Sequence, residues 1–350
     1  MKEINLFITG VGNVGSELLN QIKTQEKFLK KNLNLNLKVI ALSNTKKMLF
    51  DINGIKLDGW KSKLCEGLEN KRDEFKYKTI RLGLQNSVFV DNTASKIIAS
   101  EYSSYIKKSI SVVTCNKIAC SDKYKVYEKL KRISIKNKTP FLYETNVGAG
   151  LPVINTLKNL IDSGDKINSV QAVLSGSLNY IFNNFSKLNT FHKIVEKAKN
   201  LGFTEPDPKI DLSGTDVARK LLILSREIGY KNEIQDIKIK SFLPDECLVS
   251  NSYEELYSLL RKSKNYFNML LENAKKSDKK LKHVAEFQDG KGSVCLKEID
   301  KNHEFYDLDE KDNIILFYTE RYGKQPLVIK GAGAGSSVTA SGVFSDILKI

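Results

Sequence analysis

Apolar residues fall along this chain in two rhythms. Ile4-Asn5-Leu6-Phe7-Ile8-Thr9 is apolar and β-rich, the pattern of a buried strand. Beyond it, Val14, Leu18, Leu19 and Ile22 recur at helical spacing, and Leu33, Leu35, Leu37, Val39 and Ala41 then alternate as a second strand should. Strand-like runs follow at 88–91, 110–113 and 141–143, separated by helical segments, notably around 121–131. This β-α-β alternation predicts an α/β fold with a parallel, doubly wound sheet. Past residue 150 the pattern becomes mixed. Strand candidates lie at 170–174, 237–242, 284–287, 293–298, 314–319 and 327–330. A helix is predicted from an N-cap at Ser213 to about residue 228, with Val217, Leu221, Leu224 and Ile228 on its apolar face. The Lys-rich stretch 275–282 reads as a surface helix end or loop, and no internal repeat is present.

Between the first strand and the first helix stands Gly10-Val11-Gly12-Asn13-Val14-Gly15, a G-x-G-x-x-G in the context that gives the motif meaning. Gly10 permits a tight turn, Gly12 lets a pyrophosphate approach the backbone, and Gly15 lets helix and strand pack closely. The N–H groups at the start of that helix, from Asn13 and Val14 on, offer positive charge to phosphates. This predicts a Rossmann-type nucleotide-binding domain. An NAD site usually carries an acid at the end of the second strand, to hold the ribose 2′-hydroxyl. Here the chain reads Ser43-Asn44-Thr45-Lys46-Lys47, so NADP is expected in preference to NAD, with Ser43 and Lys46 at the 2′-phosphate. The other strand ends carry Asn92-Thr93, Thr114-Cys115-Asn116-Lys117 and Glu144-Thr145-Asn146, polar residues placed to meet ribose and nicotinamide.

Composition narrows the classes. No apolar run approaches the roughly 18 residues of a membrane span. Residues 1–8 lack the apolar stretch and cleavage site of a signal peptide, and five thinly spread Cys suit free thiols in a reducing cytoplasm. The expectation is a cytoplasmic protein of a small-molecule substrate, without membrane or nucleic-acid partners. The formal charge of +15 does not alter it, because only 7 of the 56 basic residues are Arg and the 49 Lys are scattered among 29 Asn. Arg is the residue of bidentate phosphate and guanine contacts.

The densest chemistry lies between Glu205 and Lys220. Pro206 and Pro208 make the first part a rigid extended loop, Glu205 and Asp211 lie close by in sequence, and Asp216 and Lys220 stand at i,i+4 on the following helix. Lys220 precedes Leu-Leu-Ile-Leu, so the helix is apolar nearly all round and the lysine partly buried, which requires that it be paired or used. From these residues alone, catalytic use and structural pairing are equally open.

The motifs together resemble the homoserine dehydrogenases, and most closely the dehydrogenase half of the bifunctional aspartokinase–homoserine dehydrogenases. The resemblance rests on the glycine fingerprint, Thr114–Lys117, the run from Tyr143 to Pro152, the run from Leu174 to Ile181, the Glu205–Lys220 signature and Gly331-Ala332-Gly333-Ala334-Gly335. It implies NAD(P)-dependent interconversion of L-homoserine and L-aspartate 4-semialdehyde. Lys220 would be the acid/base, with Asp216 orienting it. Glu205, Asp211, Gly176 and Lys117 would bind substrate, and Thr93, Lys117 and Gly335 would contact the cofactor. Glu144, with the carbonyls of Val147, Ala149 and Leu151, matches the family's monovalent cation site, usually sodium, and three carbonyls with one carboxylate do suit a hard cation. The implied layout is a nucleotide-binding domain over 1–143 completed by 336–350, and an α+β substrate and dimerisation region over 144–335. A homodimer or homotetramer is expected. One departure is Ile210, where the family often has an acid. Neither a kinase segment before Met1 nor an amino-acid-sensing domain after Ile350 is in the sequence, and threonine feedback is not expected. A rival enzyme working through a Cys thioester would have to use Cys115 or Cys120.

Overall fold

The computed structural model describes residues 1–71 and 73–350, which form two compact units. The first joins Met1–Gly150 to the final stretch Ala334–Ile350, and the second is the intervening Leu151–Gly333. The loop from Glu144 to Gly150 therefore lies with the nucleotide-binding residues. Glu144 N–H donates to Asp346 Oδ2 at 2.9 Å, and a Cβ on Gly150 would stand 2.4 Å from the Val338 carbonyl, so the loop is packed on the last helix, Ser336–Ile347.

The first unit is built on β1 (Lys2–Thr9), β2 (Leu35–Ser43), β3 (Lys47–Phe50), β4 (Leu68–Glu69), β5 (Ser87–Asp91), β6 (Ser111–Thr114) and β7 (Phe141–Leu142). Their order is β4-β3-β2-β1-β5-β6-β7. The strands from β2 to β7 across that order are parallel, as the alternating pattern predicts. β3 and β4 add an antiparallel edge that the pattern did not predict. Asn44 makes it: its Oδ1 accepts the N–H groups of Lys46 and Lys47 at 2.8 Å each and turns the chain straight back after β2. The direction of winding changes between β1 and β5, which opens a crevice at their carboxyl ends. The helix Asn13–Asn32 buries Leu18, Leu19, Ile22 and Leu29 on this sheet beside Ala340, Val343, Phe344 and Ile347 of the last helix. In place of one helix around 121–131, Ile118–Ser121 and Tyr124–Asn137 form two, separated at Asp122, whose backbone is extended.

The second unit carries β8 (Ile167–Val173), β9 (Ile237–Lys240), β10 (Lys280–Gln288), β11 (Lys291–Ile299), β12 (Asp312–Thr319) and β13 (Leu327–Ala332), in the order β13-β12-β8-β10-β11-β9. Only β9 and β11 pair in parallel. Each strand overlaps one of the six predicted, with ends moved by a few residues. An aromatic cluster, including Phe191 stacked on Phe267 at 4.1 Å, fills the core under the helices Gly176–Asn184 and Phe191–Asn200.

Three local expectations need correction. The predicted extended loop ends at Asp207, which caps a short helix, Pro208–Leu212, by accepting the Lys209 N–H. Proline is at home there because a first helical position needs no N–H. The next helix, Thr215–Glu227, is capped by Gly214 at φ +71° rather than by Ser213, whose hydroxyl is held by Ile210 and Thr215. Finally, the Lys-rich stretch is not all surface. The helix Lys264–Lys276 ends, β10 begins at Lys280, and Lys282 is fully buried.

Candidate active site

The glycines of the fingerprint have separate jobs. Gly10 has φ +83°, and a Cβ there would meet Thr93 Cγ2 at 2.7 Å and the Asn92 carbonyl carbon at 2.8 Å. A Cβ on Gly15 would lie 2.1 Å from the Gly10 carbonyl oxygen, so helix and turn touch backbone to backbone. Gly12 is different. It is exposed, and no atom lies within 4 Å of where its Cβ would be. Space is kept over Gly12 and Asn13, at the start of a helix whose first turn has no acid. A cradle of N–H groups with open room above it fits a dinucleotide's phosphates.

Around that cradle, Thr93 is half-buried, with its N–H on Asp91 Oδ1 at 2.8 Å and its hydroxyl accepting the Ser95 N–H. Lys117 lies three residues past β6, at the N-cap position of Ile118–Ser121. Gly335, exposed with φ +124°, caps the last helix. Lys46 is exposed at the end of β2, whereas Lys47 donates its ammonium to the Gly67 carbonyl at 3.0 Å. Ser43 is 1% exposed and its hydroxyl donates to Thr9 Oγ1 at 2.8 Å, so its side chain faces the sheet interior and not a ribose. Thr114 and Asn116 also turn inward. They belong to a buried network centred on Asp91, which accepts from Tyr102 OH at 2.5 Å and Asn116 Nδ2 at 3.0 Å, with Tyr102 OH also 2.8 Å from Thr114 Oγ1. Burial pushes the Asp91 carboxyl above its usual range, while these hydrogen bonds pull it back. The network locks the carboxyl ends of β5 and β6, and hence Thr93. An acid ending the apolar run Val88-Phe89-Val90 was the available signal for it.

Glu144, Val147 and Ala149 are buried in a loop where Gly148 and Ala149 both have positive φ, 78° and 53°. Asn146 Nδ2 donates to the Thr114 carbonyl at 3.1 Å, and its Oδ1 is buried without a partner. Leu151 opens the second unit, and its carbonyl accepts the Val153 N–H at 2.8 Å.

In the second unit, Lys220 is 9% exposed. Its Nζ lies 2.8 Å from Asp216 Oδ2 and donates to the Leu174 carbonyl at 2.8 Å. The i,i+4 spacing supplies the first contact, and the end of β8 supplies the second. A third N–H remains for a reacting oxygen. Asp211 stands on the short preceding helix, its Oδ1 accepting from Ser177 Oγ at 2.8 Å and its Oδ2 from the Glu205 N–H at 2.9 Å. Burial raises the Asp211 carboxyl above its ordinary range, opposed by those two bonds. Glu205 itself is exposed. Ser175 caps the helix Gly176–Asn184 and lies 2.9 Å from Ser177 Oγ. A Cβ on Gly176 would be 2.6 Å from the Lys311 carbonyl oxygen, so only glycine lets that loop lie on the helix start. The structure thus assembles Lys220, Asp216, Asp211, Glu205 and Gly176 within one unit, and adds Ser175, Ser177 and Asn313. Asn313 Nδ2 donates to the same Leu174 carbonyl at 3.3 Å. Ser-Gly-Ser before an apolar run was a readable cap signal; nothing in the sequence marked Asn313.

This arrangement suits proton transfer to or from an oxygen bound beside Lys220. It does not suit thioester chemistry on Cys115. Burial, with Asp91 nearby, pushes that thiol up to about 12, and Cys120 is wholly buried. Residues 10–144 match the family model "Homoserine dehydrogenase, NAD binding domain", and residues 152–348 match "Homoserine dehydrogenase". The chain belongs to the homoserine dehydrogenase family. It is 42% identical over 98% of its length to an Arabidopsis thaliana bifunctional aspartokinase/homoserine dehydrogenase, of which it spans 38%. It is 38% identical to the Schizosaccharomyces pombe homoserine dehydrogenase, covering 99% of this chain and 95% of that one. A crystal structure of a Candida auris protein of unknown function superposes with a TM-score of 0.90 at 32% identity, over 100% of this chain and 98% of the other. The chain spans about two fifths of the length of the bifunctional relatives it matches. Among the described residues, no helix is long and apolar enough to cross a membrane.

Proposed function

We propose that the chain interconverts L-homoserine and L-aspartate 4-semialdehyde, with Lys220 as the acid/base. The observation that carries this is the Lys220 ammonium, buried and fixed by Asp216 and the Leu174 carbonyl with one N–H uncommitted. A bound nicotinamide supplies the hydride acceptor or donor. In reduction, Lys220 faces the carbonyl oxygen, stabilises its developing negative charge and gives it a proton. In oxidation, a Lys220 that has shed its proton accepts the one leaving the hydroxyl. Asp216 keeps the amine in place through both. Glu205 and Asp211 offer counter-charges to the substrate ammonium, Ser177 orients Asp211, and Gly176 and Lys117 complete the substrate contacts. Gly10, Gly12, Asn13, Val14 and Gly15 hold the cofactor's phosphates, with Thr93, Lys117 and Gly335 beside it.

The cofactor preferred is NADP(H), on the strength of Lys46 and the absence of an acid between Ser43 and Lys47; the 2′-phosphate role falls to Lys46 and not to Ser43. A monovalent cation, sodium first, is held by Glu144 with the Val147, Ala149 and Leu151 carbonyls, a reading supported by the burial of Glu144, Val147 and Ala149. The chain works in the cytoplasm as a homodimer or homotetramer on a small molecule, without nucleic-acid partners. The test is the absorbance of reduced nicotinamide with homoserine, comparing NADP with NAD. Homoserine-dependent reduction faster with NADP is expected, and no reaction with either cofactor would remove the reading.

A further inference from the structure

Lys282 has no part in the chemistry proposed above, yet it is the most deeply buried ammonium described, at 0% exposure. Its three N–H groups go to Asn179 Oδ1 at 2.9 Å, Asn183 Oδ1 at 2.6 Å and the Leu308 carbonyl at 2.6 Å. No carboxylate is among these partners, and burial pulls the amine down to about 8. A lysine kept in so costly a place for packing alone would be better replaced by an apolar side chain.

What it ties together is specific. The same asparagines reach the loop after Leu308: Asn179 Nδ2 donates to the Asp309 and Asp312 carbonyls at 3.1 and 3.3 Å, and Asn183 Nδ2 to those of Leu308 and Glu310 at 3.0 and 3.2 Å. This loop then meets the reaction centre twice. Its Lys311 carbonyl lies on Gly176, at the start of the helix that carries Ser177 toward Asp211. Two residues on, Asn313 donates its Nδ2 to the Leu174 carbonyl that also receives Lys220.

We propose that Lys282 is a positioning residue for the Lys220 centre, clamping the helix Gly176–Asn184 to the Leu308–Asn313 segment so that the Leu174 carbonyl and the Ser177–Asp211 pair are held in register. The proposal rests on the functional reading above. It adds a residue outside the acidic signature and distant from it in sequence.

The experiment compares Lys282→Met, Lys282→Arg and the milder Asn183→Ala in the full chain, by kinetics and amide hydrogen exchange. Lys282→Met is expected to lower kcat about tenfold and raise the homoserine KM severalfold, as misplacement of reacting groups does, with the cofactor KM within about twofold. Exchange should quicken at 174–178 and 308–313 and stay unchanged in the helix Asn13–Asn32. Asn183→Ala should shift the same readouts in the same direction by less, and Lys282→Arg should recover part of kcat. A folded Lys282→Met with both kinetic constants within twofold and unaltered exchange would overturn the proposal. If Lys282→Met does not fold, Asn183→Ala with unchanged KM, kcat and exchange overturns it alone. Loss of kcat in strict proportion to folded fraction, with KM unmoved, would also overturn it. If wild type fails to oxidise homoserine but exchange responds as stated, the clamp stands and the functional reading falls.

Discussion

Lys220 is expected to be irreplaceable in a way that its packing does not explain. Lys220→Ala should lower kcat by at least ~10²-fold, the ordinary consequence of losing a general acid–base. Its cofactor affinity, measured by fluorescence titration, should hold, because the phosphate cradle belongs to the other unit. Glu205→Ala should raise the homoserine KM and leave kcat nearly intact, since Glu205 is exposed while its backbone N–H, kept by the variant, holds Asp211. Thiols give a contrasting case. With Cys115 pushed up to about 12, alkylation with iodoacetamide near neutral pH should label the exposed Cys65 and spare most activity. Complete inactivation in step with Cys115 labelling would count against an amine-based mechanism. At this scale the sequence was an uneven guide. Lys220 and Asp216 were legible because i,i+4 spacing on an apolar helix leaves a lysine few choices. Ser43 misled, because an Oγ at a strand end faces either crevice or sheet and the chain does not say which. Lys282 misled too, since one buried lysine in a run of exposed ones is set by partners about a hundred residues away.

Elements follow the same physics at larger size. The six strands of the second unit were legible from β-branched and aromatic runs, whereas β3 is short and mostly half-buried and β4 is two exposed residues, held by the Asn44 turn more than by apolar pattern. The cap of the Lys220 helix escaped because Gly214 is chosen for a φ of +71° and for His283, whose Cε1 would lie 3.1 Å from any Cβ added there. The glycine turn of β1 gives a sharper test. Gly15→Ala must displace backbone, at a cost of about 1–3 kcal/mol or more, read as a lowered Tm. Gly12→Ala meets nothing, so it should cost about 1 kcal/mol or less and instead weaken dinucleotide binding. Equal loss of Tm in both variants would refute the division of labour between these glycines.

For the whole molecule, stability should depend on pH through His283. Burial pushes its imidazole down to about 4, from an ordinary 6.5, and Nδ1 has no partner. Between those values the unfolded chain takes up a proton that the folded chain refuses. Stability is therefore kept above about 6.5 and lost as pH falls toward 4, by up to about 1.4 kcal/mol per pH unit from this group. Urea unfolding across that range should show a shallower dependence for His283→Gln than for wild type. Charge on the surface has a separate consequence. Lys46→Ala should weaken NADP and leave NAD almost unchanged, whereas Lys47→Ala, whose ammonium already serves Gly67, should affect the two alike. Higher catalytic efficiency with NAD in the wild type would contradict the preference outright.

The last helix also sets an order in time. Ala340, Val343, Phe344 and Ile347 complete a core begun by Leu18, Leu19 and Ile22. A ribosome making this chain releases β1 and its glycine turn long before the helix Ser336–Ile347 that covers their apolar surface. The inserted unit, Leu151–Gly333, is contiguous in sequence and so needs no later segment to complete it. The first unit is thus begun before the inserted one and completed after it, so its apolar sheet face stays uncovered while the inserted unit is made.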